Sequence, residues 1–422
     1  MQLKQLLRKA VNLEANEVRA TLVSFGFVFV LMAAYYILRP VRDAMASDWT
    51  DAEVSWLWTL NFFISAVAVS IYGGAVTSVK FRNLVTSVYA FFALSFLAFY
   101  LGTQAVADRV LIDKAFYVWI SVFSLFHVSV FWSFMSDLFT KAQSLRLFGF
   151  IGAGASTGAL VGPSIPTFFV DSIGTDNLML VATLLLVATL PIIATLQRLK
   201  FSDLHNDTLQ PDTDKMEYIG GNPLAGFAEF VRSPYLLSIG LFILFYTSIS
   251  SFIYFELKNL LADYSRAERT QIWAAMDLAV NTLTIVTALF ITGRMATRFG
   301  LGVTLASVPL LISGGMLVVA AAPAVAVVVG LQIVRRAGNY AVTRPAREML
   351  FTAVDRETRF KAKPVIDIVV YRGGDTLNAW AFTALTQGLG LGLATVAVVG
   401  AAIAAIWAAL GFYLGRSFER IE

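Results

Sequence analysis

Long apolar runs separated by short polar turns recur along the whole chain. The pattern predicts helices at 20–46, 54–76, 84–102, 115–139, 147–170 and 177–197. A second series follows at 235–261, 271–292, 301–321, 323–350, 363–388 and 391–415. Each run approaches the roughly 20 apolar residues that a helix needs to cross the hydrocarbon of a bilayer. Between the two series lies one long polar connection, 198–234, with Gly220, Gly221 and Pro223 ahead of the amphipathic stretch LAGFAEFVRSPYL. The expected architecture is an all-α polytopic membrane protein of twelve transmembrane helices in two six-helix halves. Residues 1–197 and 235–422 form the halves, and 198–234 is the linker.

Composition removes the alternatives. The chain is 58% hydrophobic and 14% charged, against ~45–50% and ~25% in soluble domains. It has no cysteine, and its two histidines are His127 and His205. Disulfides, thiolate nucleophiles and Cys or His metal clusters are therefore excluded, and no metal or cofactor is expected. No pairing of nucleophile and base stands out, so an enzyme is not expected. The opening MQLKQLLRKAVNLEANEVR has no clean apolar core or cleavage site and does not read as a secretory signal.

The cations set an orientation. With the N-terminus inside, 20 Lys and Arg fall in inner loops and tails and four in outer loops, Arg109, Lys114, Arg266 and Arg269. This bias predicts cytoplasmic termini, in a bacterial inner membrane, with the inner loops positive. The net charge of +4 follows from these loops and gives no reason to expect a nucleic acid polymer as partner.

Eight cations remain within the spans: Arg39, Arg42, Lys258, Arg335, Arg336, Arg344, Arg347 and Arg372. Seven acids share those depths: Asp43, Asp137, Glu256, Asp277, Glu348, Asp367 and Asp375. A charge at the centre of a span costs ~2.5–3.5 kcal/mol even on the lenient insertion scale, so such residues pair or line a wet cavity. Arg39 with Asp43, and Arg344 with Glu348, stand four residues apart and could neutralise each other. Asp43, Asp137, Glu256, Glu348, Asp367, Arg372 and Asp375 are expected to form gate pairs or to carry coupling protons. The tenth span is different. Arg336, Tyr340, Arg344 and Arg347 share one face of an ideal helix, with Arg335 and Asn339 beside them. Four arginines there meet one acid, Glu348. Guanidinium forks suit anionic oxygens, so Arg39, Arg42, Arg335, Arg336, Asn339, Tyr340, Arg344, Arg347 and Lys258 are the expected contacts of a small anionic substrate. Lipid headgroups are the alternative partners of the arginines nearest the inner face. His127 reads as helix packing or a proton relay.

Weak repeats tie these features together. LRPVRDAM (38–45) ends the first span as TRPAREML (343–350) ends the tenth, and FMSDLF (134–139) matches FELKNLL (255–261) in placing polar groups at a span's end. The fifth span reads G-x8-G-x3-G-P from Gly149 to Pro163, and GRMATRFG (293–300) fills the loop between the eighth and ninth. This pattern resembles the nested repeats, antiporter motif and loop signature of the major facilitator superfamily. ILRPVRD (37–43) is similar to the end of the first helix in the ATP:ADP antiporter (nucleotide transporter) family. Pro345, Arg347, Glu348, Met349, Asp355, Arg359, Lys361, Lys363, Ile366 and Asp367 resemble that family's stretch from the tenth helix to the eleventh. The resemblance implies exchange of nucleotides or related phosphorylated anions by alternating access, in a monomer within the lipid bilayer. A proton-coupled carrier of another organic anion, or a drug exporter, is the alternative.

Overall fold

The computed structural model describes residues 14–78, 81–204, 225–287, 293–354, 362 and 365–421. Among these residues the chain is helical throughout, with no strand. The first half contains α1 (Val18–Met45), α2 (Asp51–Ser78), α3 (Phe81–Ala105), α4 (Val110–Leu138), α5 (Lys141–Ile173) and α6 (Thr175–Ser202). After the short α7 (Ala225–Arg232), the second half contains α8 (Pro234–Leu260), α9 (Arg266–Thr287), α10 (Gly293–Ala321) and α11 (Val325–Gly338). It ends with α12 (Arg344–Leu350), α13 (Tyr371–Thr383) and α14 (Leu393–Ile421).

The predicted runs are thus helices, and most extend a few residues past their apolar stretch. Eight of the described helices are long and apolar enough to cross a membrane. The tenth and eleventh predicted spans are not single α-helices. Asn339–Thr343 forms a π-helical turn between α11 and α12, and Val365–Val370 and Ala384–Gly388 flank α13 in the same way. Local chemistry fixes several helix ends. Thr140 and Gln143 close a capping box at the start of α5, and Ser233 followed by Pro234 starts α8.

Packing repeats between the halves. Counting predicted spans within each half, the first packs on the fifth (α1 on α5, α8 on α13) and the third on the sixth (α3 on α6, α10 on α14). The α1–α5 contact accounts for two glycines of the fifth-span motif, Gly158 and Gly162, and for Gly154 one turn earlier. Gly154, Gly158 and Gly162 lie against the backbone of Phe25, Phe29 and Ala33 on α1, where an added Cβ would collide. Small residues let helix backbones approach where no hydrophobic effect drives them together.

The chain forms two compact units that do not follow the cut at the linker. The first contains Met1–Met45, Phe63–Met216 and Ser265–Leu278; the second contains Ala46–Phe62, Glu217–Tyr264 and Ala279–Glu422. Each half lends a segment to the other's unit.

Candidate functional site

The second unit buries the two adjacent arginines of α11. Arg335 and Arg336 are each 3% exposed. Arg335 donates from Nε to Gln332 Oε1 at 2.8 Å, and an Nη lies 3.4 Å from the Tyr246 hydroxyl. Its guanidinium stands 5.7 Å from the centre of the Tyr246 ring. Asn339 Nδ2 donates to the same hydroxyl at 3.2 Å. Nearby, Asn378 on α13 donates to Thr247 Oγ1 at 3.1 Å and accepts from Ser248 at 2.8 Å, tying α13 to α8. Asp375 lies within electrostatic reach of Arg372 and Arg335. Among the described residues, the hydrogen-bond partners of Arg335 are neutral.

The expected stripe on the tenth span does not form. The π turn at Asn339–Thr343 carries the Arg344 N–H to the Asn339 carbonyl, five residues back, and shifts the helical phase between α11 and α12. Arg336 is buried, Tyr340 is 37% exposed and Arg344 faces outward. Arg347 pairs with Glu348 at 3.2 Å.

In the first unit, Asp43 is 2% exposed and anchors two cations. Arg42 donates to its Oδ1 from Nε at 2.9 Å and from Nη2 at 2.6 Å, and Arg39 Nε lies 3.7 Å from its Oδ2. Arg42 also donates to Ser121 Oγ at 3.2 Å and stacks over Tyr117. Asp137 meets Lys200 at 2.9 Å. His127 is buried against the Tyr35 ring, 4.4 Å between centroids.

Three ion pairs bind the exchanged segments. In the first unit, Arg39 reaches Asp277 of α9 at 3.6 Å, and Arg266, also of α9, reaches Asp113 of α4 at 2.8 Å. In the second unit, Lys258 of α8 donates to Asp51 Oδ1 at 2.8 Å and to the Trp49 carbonyl at 2.7 Å. Asp51 Oδ2 accepts from Thr386 at 2.9 Å and from Asn259 at 3.3 Å. Lys258 is 1% exposed, so its ammonium is consumed inside the fold. Sequence reasoning overlooked Asp51 because it stands in the short break between two predicted spans, where an acid reads as a helix-start residue. Gln332 and Tyr246 were missed because each is isolated in an apolar run. Asp367 lies outside the residues whose side chains are described.

Arg266, Asp113, Arg109 and Asp176 also line a polar cleft of about 760 Å³ in the first unit, where Arg109 and Asp176 pair at 2.6 Å.

Apolar helices repeated in two halves, with buried cations held by polar side chains, make this a polytopic α-helical membrane protein. The family model of the Major Facilitator Superfamily matches residues 24–354. The chain belongs to that superfamily. A solved bacterial homologue of the human lysosomal transporter Spinster, inward-facing and unoccupied, is similar over 97% of this chain and 99% of its own. The identity is 14% and the TM-score 0.61, a likeness of fold. No curated protein matches. The family found is the superfamily as a whole; the ATP:ADP antiporter resemblance gains no support from these matches.

Proposed function

We propose that the protein is a secondary transporter of a small organic anion, working by alternating access, with Arg335 at the substrate site. The observation behind this reading is a buried guanidinium whose hydrogen-bond partners among the described residues are neutral. Asp375 acts on Arg335 only at electrostatic range, while Gln332 and Tyr246 bring it no charge. A ligand's carboxylate or phosphate would therefore add charge-assisted bonds that the buried guanidinium lacks. Arg336 and Asn339 belong to the same site. Phosphorylated anions, nucleotides included, fall within this class, and so do dicarboxylates. Arg39–Asp277 and Lys258–Asp51 act as gate pairs, because each ties a first-half segment to a second-half helix and must part if the halves separate there. The carrier sits in a bacterial inner membrane as a monomer, with both termini in the cytoplasm.

Thermal unfolding of the purified protein with inorganic phosphate, succinate, glucose 6-phosphate and ADP tests the site. At least one anion should raise the melting temperature. Arg335→Gln removes a charge-assisted bond worth ~1.5–3 kcal/mol, which is roughly ten- to a hundredfold in affinity. Unchanged affinity in Arg335→Gln would refute the assignment. Exchange is tested in vesicles: uptake of the stabilising anion should be faster into vesicles preloaded with it than into empty ones.

A further inference from the structure

Most of the span acids described above have a cation beside them. Glu256 on α8 differs. It is 0% exposed, and neither of its carboxyl oxygens has a hydrogen-bond partner among the described residues. Lys258, two residues on, is taken by Asp51 and the Trp49 carbonyl.

Among the described residues, the helices packed on α8 bring no other charge beside Glu256. On α13 the register is fixed by Asn378 at Thr247 and by Phe382 against Phe252 and Phe255. Asp375 and Arg372 therefore lie about nine and twelve residues below Glu256, or ~13 and ~18 Å at the helical rise. On α11, Arg335 meets Tyr246, ten residues and ~15 Å below, and Arg336 is its neighbour. On α14, Gly400 faces Phe252, and the charged Arg416, Glu419 and Arg420 lie sixteen or more residues further along. At the other end, Asp48 is exposed, Asp51 belongs to Lys258, and Glu53, an acid within electrostatic reach of Lys258, accepts from Thr50. An ionised carboxylate enclosed in this way would have neither donor nor counter-ion, which is prohibitive in an apolar interior; a carboxylic acid would be tolerated.

We propose that Glu256 is a proton-binding site of the carrier. It holds one proton while enclosed and exchanges it with water when its end of α8 opens. Binding forms one O–H bond with a proton taken from water, and release returns that proton, so the ligand is the hydrogen ion and no other reactant is needed. The role in transport rests on the carrier reading above, but the occupancy of the site does not. A failed anion screen and an ionised Glu256 are therefore separate results.

Infrared spectroscopy of the purified full-length protein at neutral pH reads protonated carboxyls through their C=O stretch. A carboxylic-acid component should be present in the parent chain and missing in Glu256→Gln. Labelling glutamate with carbon-13 should shift that component, which keeps the test available in the parent chain if Glu256→Gln does not fold. Transfer to deuterium oxide should shift it as well, because the proton exchanges. If the parent shows no such component, or Glu256→Gln retains it in full, Glu256 is not the proton carrier. A component that survives prolonged deuterium oxide marks a sealed structural acid and overturns the exchange.

Discussion

Asp51 receives hydrogen bonds from Lys258, Asn259 and Thr386. A buried pair of this kind contributes little against an apolar replacement, yet removing one partner strands the other, at about 3–5 kcal/mol. Lys258→Met should therefore lower the melting temperature of the purified protein markedly. The double variant Lys258→Met, Asp51→Leu should recover most of the loss. Equal melting temperatures for parent and Lys258→Met would show that the pair carries no weight. The sequence could announce that Lys258 needed a partner, since a cation in an apolar run always does. It could not name Asp51, because the two residues are 207 apart along the chain.

Elements were more legible than contacts. An apolar run long enough to span a bilayer carries its own signal, and a lipid-facing helix satisfies its backbone internally. The glycines of α5 were legible as a pattern, while their use emerged only against α1. Gly158→Val should fold poorly, because its Cβ would meet the Phe29 carbonyl; Gly26→Ala should be tolerated, because nothing stands within 4 Å of the Cβ it would add. Yields of monodisperse protein and melting temperatures would separate the two. The π turns were hidden, since no residue in Asn339–Thr343 breaks an α-helical pattern. A π turn amounts to one residue added to an α-helix. Deleting Ala341 should remove the turn and restore the α ladder while leaving α12 in its present phase. Helix content by circular dichroism should stay, while anion binding at Arg335 and Asn339 should fall if their placement depends on that turn.

For the molecule as a whole, the loop cations make the strongest claim. Single cysteines at Lys215 and Asp171, placed in a chain that has none, should react from opposite sides of the membrane. Labelling of both from one side would overturn the span count. The unit boundaries matter for biogenesis. Ala46–Phe62 is synthesised some 170 residues before Glu217–Tyr264, the next part of its own unit, and the first unit stays incomplete until Ser265–Leu278 arrives. Neither half can then be a finished product while the chain is still being made. Cut within 198–234 and produced separately, each half should be degraded quickly in cells; produced together, the two should protect each other and co-purify. The insertion machinery would be handling a protein whose early helices wait, with buried charges still unmatched, for partners not yet translated.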